Sequence, residues 1–499
     1  MIVFHYLVII LFFAASIYIS LYSFEQFYLF LNASRKKPVS PTIQPLTEFP
    51  EVTIQLALYN ERFVVKNLID CICKLDYPSD KLEIQILDDS TDETTDILKN
   101  LLQERTDSKF QIIHIHRINR EGYKAGALKN GLQTAKGEFI ALFDADFRPE
   151  PDFLLKTLPH FTDKTIGAVQ TRWGHLNEDQ SFVTKVQGIL INNHFLVEQK
   201  GRYQGGLMLQ FSGTGGIWRK EAIRNAGGWQ SDTIVEDVDL SFRAQLAGWK
   251  ICLCDDIVCP AELPEDVNAV KTQQFRWMQG GAQVCRKHFW SVWKSDKNLK
   301  TKIHASMHLT TVYVYLSIFL TAVLSLPMLY AIPAVGLNPA YLGILSFGFL
   351  LIVVVLFFPN YQTGWKHLSK NKRILRFLLL CPSIAVSGMA IAFHNSVAIF
   401  KGTFGIKTPF NRTPKYDASD KKNINAGTDK TYRVKASWIA YAELALVFYF
   451  IIALFLDVLL KNYLFVSYHF ALILVFAVIS FLSLGLGYRF AKNNNQQTH

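Results

Sequence analysis

The feature that most constrains this 499-residue chain is the placement of its apolar runs. Residues 2–31, IVFHYLVIILFFAASIYISLYSFEQFYLFL, contain one acid, Glu25, and no Lys or Arg. A helix rises 1.5 Å per residue, so about 20 such residues cross a hydrocarbon core of roughly 30 Å, and this run is longer than that. A signal peptide carries its positive charge ahead of a short apolar stretch, whereas Arg35-Lys36-Lys37 follows a long one. The positive-inside bias predicts an N-terminus outside and a cytosolic chain from residue 35. After a long water-soluble stretch, apolar runs return at 308–332, 340–360, 376–400, 438–460 and 463–488.

Charge decides how many of these cross. If all did, Lys401–Lys435, with nine Lys or Arg against three Asp, would face outside, against the bias. The 376–400 run is interrupted by Pro382 and Gly388 and carries His394, Asn395 and Ser396. It is expected as a re-entrant or interfacial helix on the cytosolic face, leaving five crossings, with six as the alternative. The expected plan is a transmembrane helix (1–34), a cytosolic α/β domain (35–265), interfacial helices (266–305), two transmembrane helices (306–362), a cytosolic or interfacial segment (363–435), two more transmembrane helices (436–490) and a cytosolic tail (491–499). The net charge of +11 suits a face against anionic lipid and an anionic substrate such as a nucleotide sugar. Nucleic acid is not an expected partner, because the basic residues sit beside membrane segments and no recognition motif is visible. The seven cysteines include Cys71-x-Cys73 and Cys252-x-Cys254, and neither pair makes a zinc spacing with a second one, so they are expected to be reduced structural thiols.

Between residues 50 and 175 strand-like and helix-like patterns alternate. EVTIQLAL (51–58), EIQILDD (83–89), FQIIHIHR (110–117), FIALFDAD (139–146) and IGAVQTRW (166–173) read as strands, with ERFVVKNLIDCICKL, DETTDILKNLLQER and KAGALKNGLQTA as helices between them. This alternation predicts right-handed crossovers and a largely parallel sheet covered on both faces, with ligands at the strands' carboxyl ends. Two acidic pairs stand there, Asp88-Asp89 and Asp144-Ala-Asp146. Strand alternation would point Asp144 and Asp146 the same way, making a site for a hard cation, Mg²⁺ or Mn²⁺, that bridges diphosphate oxygens. Turn capping is the alternative for a single D-x-D, and a second acidic pair on a neighbouring strand end favours the nucleotide-diphosphate reading.

No G-x-G-x-x-G or Walker motif is present; Arg117, Arg120 and Lys124 supply positive charge near the binding edge instead. FSGTGGIWR (211–219) is a glycine-rich loop where backbone can approach a ligand closely. In TIVEDVDLSFRAQLAGWK (233–250), Glu236, Asp237 and Asp239 open a helix, and first-turn acids offset the helix dipole without any further role. In QQFRWMQGG (273–281), Gln273, Arg276 and Trp277 share one helix face, combining an amide, a guanidinium and an indole suited to a diphosphate and a stacked sugar ring. A membrane-interface belt with Trp290 and Trp293 is the alternative for Trp277.

In this order, and followed by membrane helices, Asp88-Asp89, Asp144-x-Asp146, Glu236-Asp237 and Gln273-x-x-Arg276-Trp277 resemble the D, DxD, TED and QxxRW series of processive family 2 glycosyltransferases, the cellulose synthase-like enzymes. YNER, LDDSTDET, GYKAGALKNGL, AGGWQSDTIVEDVDLSFRAQLAGWK, ELPED and QQFRW look closest to the plant cellulose synthase-like A and C mannan and glucan synthases and their bacterial relatives. The likeness is dense over about residues 50–295 and loose in the membrane part, where FNRTPK (410–415) sits near the position of a gating loop. It implies a GT-A-type α/β nucleotide-diphospho-sugar transferase domain, with a mixed, mostly parallel sheet, inserted between transmembrane α-helices. Tyr59, Asn60, Glu61, Asp88, Asp89 and Lys124 would contact the nucleotide sugar, and Asp144 and Asp146 would hold metal and diphosphate. Asp237 would be the general base. Gln273 and Arg276 would secure the diphosphate, and Glu236 and Trp277 would meet the acceptor. Ala57 stands where the family often has Pro before the Asn-Glu pair, and Val235 replaces the Thr of TED.

The resemblance implies an inverting, metal-dependent hexosyltransferase adding β-linked units, as β-1,4-glucan or mannan, from UDP-glucose or GDP-mannose to a growing polysaccharide, with export coupled to synthesis. The plasma or inner membrane, or the Golgi of a eukaryote, is the implied location. A glycolipid acceptor of ceramide or diacylglycerol type is the rival reading among enzymes, and a nucleotide-sensing membrane protein is the rival from another class. Burial, Glu236 and Asp239 are expected to raise Asp237 above the ordinary Asp value of about 3.9. Neither the choice of donor nor a partner subunit is legible in the chain.

Overall fold

The alternating segments fold as strands β1 (Val52–Leu58), β2 (Leu82–Asp88), β3 (Gln111–His116), β4 (Phe139–Phe143) and β5 (Ile166–His175). Strands β6 (Gly216–Arg219) and β7 (Lys250–Ala261) complete a seven-stranded sheet of order β3-β2-β1-β4-β6-β5-β7. The computed structural model describes residues 1–35, 46–105, 108–345, 347–410, 412–417 and 437–485. Strand β6 runs antiparallel to β4 and β5, and the other pairs are parallel. This is the GT-A-type mixed, mostly parallel layout expected from the resemblance. Helices Val65–Ile72, Thr94–Gln103 and Tyr123–Thr134 are the crossovers.

Strands β1, β2 and β4 are buried on both faces of the sheet, Thr53, Gln55, Glu83 and Gln85 included, because both faces are covered. Ile54, Leu56, Ile84, Ile86 and Phe143 enter the core on one side, and Leu87, Ile140, Leu142 and Trp218 enter the core on the other. The parallel register aligns Leu58 with Asp88 and Leu56 with Phe143, so the residues after β1, β2 and β4 emerge on one rim. Strand β4 ends at Phe143, so Asp144 and Asp146 belong to the following turn, not to the strand as the sequence pattern predicts. The Asp144 carbonyl accepts the Phe147 N–H at 3.0 Å, which turns the chain out of the sheet.

Among the described residues, five helices are long and apolar enough to cross a membrane: Ile2–Ala33, Tyr313–Ala334, Lys370–Thr403, Trp438–Leu459 and Val466–Ser483. The number equals the expected five crossings, but the membership differs. Residues 370–403 form one helix of 34 residues straight through Pro382, where a break was expected. An interior proline costs about 3 kcal/mol or more, and packing of this helix on Val267–Lys294 and Tyr313–Ala334 outweighs it. The 340–360 run instead forms the shorter helices Ala340–Leu345 and Phe347–Pro359. The C-terminal tail and most of the basic 401–435 segment lie outside the described residues.

A buried ion pair joins the Val267–Lys294 helix to the apolar helices. Lys271 donates to both carboxylate oxygens of Glu443, at 2.7 and 2.8 Å, and to Ser483 Oγ at 3.1 Å. Removing one partner strands a buried charge at a cost of about 3–5 kcal/mol, whereas an apolar replacement of both restores most of it. Lys271→Met is therefore expected to unfold well below the wild type in detergent, with Lys271→Met/Glu443→Leu recovering most of the loss. Thermal unfolding of the three proteins checks this.

Candidate active site

The rim left by β1, β2 and β4 opens on a cavity of about 1370 Å³. Asn60, after β1, takes a left-handed conformation (φ 57°), which Asn tolerates better than most residues. Its N–H donates to Ser90 Oγ at 2.9 Å and its Oδ1 accepts the Thr91 N–H at 2.8 Å, tying the two loops together. Asn60 therefore shapes the rim, while its neighbours Tyr59 and Glu61 line the cavity. The Arg120 guanidinium lies 3.2 Å from the centre of the Tyr59 ring. Burial raises the Glu61 carboxyl, with Arg412, paired to it at 3.0 Å, and Lys415 opposing.

The two adjacent acids of β2 part company. Asp89 lines the cavity and is held by Arg117, whose Nε and Nη2 donate to its two oxygens at 2.7 and 2.5 Å. Asp88 is fully buried and does not line the cavity, contrary to its expected nucleotide contact. As the last residue of β2 it points to the opposite face from Asp89, toward β3. Its Oδ2 accepts from Thr95 Oγ1 at 2.8 Å and meets His114 and His116 at 3.1 and 3.2 Å. Burial alone would raise it, but hydrogen bonds from His114, Ser90 and Thr95 hold it well below the usual carboxylate range.

Asp144 and Asp146 both line the cavity, and each is met by an ammonium group. Lys124 Nζ lies 2.6 Å from Asp144 Oδ1, donates to the Gly213 carbonyl at 3.0 Å and stands 4.0 Å from Glu236. Lys415 bonds to Asp146. Burial would raise Asp144, but Lys124 and Lys415 bring it below its ordinary value; burial would lower Lys124, but Asp144 and Glu236 push it up. Two carboxylates with ammonium groups standing in as cations are an oxygen donor set that fits a hard divalent ion.

Glu236, Asp237 and Asp239 open the Glu236–Leu246 helix, and two of them face the cavity. Burial first, and then the neighbouring Glu236, raise Asp237 to about 7, with Lys124 opposing. Asp239, expected to join Glu236 in raising it, does not. Two residues along a helix is roughly 200° around it. Asp239 is instead held by His288, Lys287 and Arg243, each at 2.7 Å, which overcome its burial and keep it well below the usual carboxylate range. Val235, where the family has Thr, packs its methyl groups on Gly280 of the next helix, where an added Cβ would lie 2.6 Å from Val235 Cγ1.

That next helix, Val267–Lys294, is capped by Asp266, whose Oδ1 accepts the N–H groups of Asn268 and Ala269 at 2.8 and 3.1 Å. It brings Gln273, Arg276 and Trp277 to the cavity wall, as expected from their spacing. Burial lowers Arg276 to about 10, despite Asp144 and Glu236. Arg276 Nη2 donates to Thr413 Oγ1 at 2.9 Å, and its guanidinium lies 4.7 Å from the centre of the Phe410 ring.

Residues 405–410 and 412–417 close this side, and of these the sequence marks only those in FNRTPK. Gln279 anchors them, donating to the Ile406 carbonyl at 2.9 Å and accepting from Thr408 Oγ1 at 2.7 Å. Glu262, of ELPED, accepts the N–H groups of Tyr416 and Asp417, both at 2.8 Å. A second polar wall gave no spaced motif at all. Its members are Gln26, His194, Glu198, Arg202 and His308, all lining the cavity beyond Asp237. Burial would raise Glu198, but His194, at 3.0 Å, and Arg202 bring it to about 2.

Gly213 is the point of closest approach in the glycine-rich loop. Its φ is +81°, and an added Cβ would lie 3.1 Å from Asp237 Oδ2. A side chain in this backbone region costs about 1–2 kcal/mol, and it would also press on Asp237. Gly213→Ala is therefore expected to lower the melting temperature by a few degrees and turnover by at least about tenfold. Parallel melting and rate measurements check both.

The family model described as "Glycosyltransferase like family 2" matches residues 50–280. The chain is 44% identical over 248 residues to "Probable glucomannan 4-beta-mannosyltransferase 7" of Oryza sativa subsp. japonica, covering 48% of this chain and 42% of that protein. It is 41% identical over 262 residues to "Glucomannan 4-beta-mannosyltransferase 1" of the same plant, covering 51% and 50%. The chain thus spans about half the length of the curated relatives it matches. Among solved structures it is similar to "Mannosyltransferase PcManGT from Pyrobaculum calidifontis in complex with GDP-Man and Mn2+", at 23% identity and a TM-score of 0.49, covering 74% of this chain and 97% of that one. The matched segment holds all the spaced motifs, from Tyr59 to Trp277, and the sheet that carries them. Residues 50–280 thus match a family 2 glycosyltransferase model, and the motif series they carry resembles that of its cellulose synthase-like members.

Proposed function

We propose that this chain is a membrane-embedded inverting mannosyltransferase, extending a β-1,4-linked polysaccharide from GDP-mannose. Asp237 carries the reading: a carboxyl raised to about 7 shares one cavity with Asp144, Asp146 and the Gln273–Arg276–Trp277 face. An acceptor hydroxyl attacks the anomeric carbon opposite the departing diphosphate, so a proton must leave on one side while charge is met on the other. Asp237 takes the proton, and a base with a pKa near the working pH is well matched to that task. Lys124 and Arg276 meet the diphosphate charge. Asp144 and Asp146 would hold Mg²⁺ or Mn²⁺, which when bound supplies further positive charge to the leaving group. Tyr59 and Asp89 face the nucleotide side of the cavity, and Trp277 offers a ring to the acceptor sugar. Residues 405–410 and 412–417, with Arg412 and Lys415 on Glu61 and Asp146, shield this charge from water.

The names of the rice relatives favour mannosyl over glucosyl transfer. The cavity favours a polysaccharide acceptor over a glycolipid: beyond Asp237 it runs past Gln26, Glu198, Arg202 and His308 toward Phe12 and Tyr468 of the apolar helices. Hydrogen-bonding groups along that wall suit a hydroxyl-rich chain, and the reading extends to export of the product as it grows. Size and linkage analysis of product labelled from radioactive GDP-mannose tests this. A long, β-1,4-linked mannan is expected, and a short, solvent-extractable glycolipid would overturn the polysaccharide reading.

A further inference from the structure

Away from the cavity, the core beneath β7 contains a cluster that the transfer reaction does not use. Cys252 and Cys254 are two apart on β7, so both side chains leave the same face of the strand. His160, in the turn Leu158–Thr162, reaches between them: its Nε2 is 3.1 Å from Cys254 Sγ and its Nδ1 is 3.7 Å from Cys252 Sγ. The Tyr203 hydroxyl lies 3.3 Å from Cys252 Sγ. All three of Cys252, Cys254 and His160 are buried, and one ligand atom from each lies within 4.8 Å of the others.

From this cluster we infer a zinc site, built by Cys252, Cys254 and His160, that pins β7 to the turn before β5. In a tetrahedral site, Zn–S bonds of about 2.3 Å and a Zn–N bond of about 2.0–2.1 Å place sulfur and nitrogen about 3.6 Å apart; here Nδ1 faces Cys252 and Nε2 faces Cys254, so binding needs a small turn of the ring to offer one nitrogen to both sulfurs. Binding releases the two thiol protons, so two thiolates balance the ion's charge and a neutral imidazole completes the set. Among the described residues no Lys or Arg bonds to either sulfur, so a divalent ion is the cation this pair lacks. Thiolate ligands select zinc over the hard ions that suit the Asp144–Asp146 pair. The spacing rule hid this site because its third ligand comes from 92 positions away in the chain.

The test is metal analysis of the full chain, purified in detergent without metal-affinity resin and with zinc supplied during expression. About one tightly held zinc per chain is expected, retained in Asp146→Asn and lost in Cys252→Ser/Cys254→Ser. Zinc below about one tenth per chain in the wild type, or equal zinc in the double-serine variant, overturns the site. Cobalt substitution of the wild type needs no variant that must fold: a thiolate-to-cobalt charge-transfer band is expected, and a spectrum without it, from protein that has taken up cobalt, also overturns the site. Neither readout depends on glycosyl transfer, so the zinc site and the proposed activity stand or fall separately.

Discussion

Asp237→Asn is expected to lower polymer synthesis at pH 7 by about 10²- to 10⁴-fold, the range that one positioned general base contributes. The substitution keeps the shape of the side chain and removes only its ability to accept a proton. GDP-mannose affinity should change by less than about threefold, because Lys124, Arg276 and the Asp144–Asp146 pair are untouched. The pH profile adds a second signature. Asp237 works as the carboxylate, and burial with Glu236 raises it to about 7. The wild-type rate should therefore rise with pH through about 7 and level off above it, falling about tenfold per unit on the acid side. The asparagine variant's residual rate should lack that inflection. Initial rates across the range, with nucleotide-sugar binding measured by calorimetry, test both parts; a variant with near wild-type turnover would remove Asp237 from the role.

Lys124→Met should have the next largest effect. The Lys124 ammonium is 2.6 Å from Asp144 and 4.0 Å from Glu236, and it opposes the rise of Asp237. Without it, Asp144, Glu236 and Asp237 lose the ammonium that stands among them, while Lys415 stays on Asp146. Two charges 4 Å apart interact by about 4 kcal/mol at an effective dielectric of 20, and one pKa unit corresponds to about 1.4 kcal/mol. The midpoint of the rate profile is expected to move to higher pH by about a unit or more. GDP-mannose binding should weaken by at least about tenfold, because the diphosphate meets an anionic rim. Lys124→Arg should recover part of both losses, since it restores the charge but not the fit against the Gly213 carbonyl. An unmoved midpoint in Lys124→Met would mean that Lys124 does not set the protonation of Asp237.

Features carried by local pattern were legible in the sequence. Five strands and three crossover helices followed from apolar runs and their periods, and the sheet order put Tyr59, Asp89, Asp144 and Asp146 on one rim. The spacing of Gln273, Arg276 and Trp277 gave one helix face, which the cavity uses. Features set by direction and by distant contacts were not legible. Asp88 and Asp239 stand beside functional acids in sequence, but strand alternation and helix rotation turn them to His114 and His116 in one case and to Arg243 and His288 in the other. Strand β6 is four residues long and antiparallel, too short to show a period. The Pro382 and Gly388 break was overridden by packing across the whole 34-residue helix. Glu262, Arg412, Lys415 and the His194–Glu198–Arg202 wall meet the site only through tertiary contacts.

The central claim is that the cavity holding Asp237 transfers a mannosyl unit from a nucleotide donor. Release of nucleoside diphosphate by the purified full chain, measured over a panel of UDP- and GDP-sugars with Mg²⁺ or Mn²⁺ supplied, tests it most directly. Steady GDP release from GDP-mannose is expected, faster than release from any other donor and lost in Asp237→Asn. No release from any donor, with nucleotide still bound, would contradict it and point to a nucleotide-sensing membrane protein.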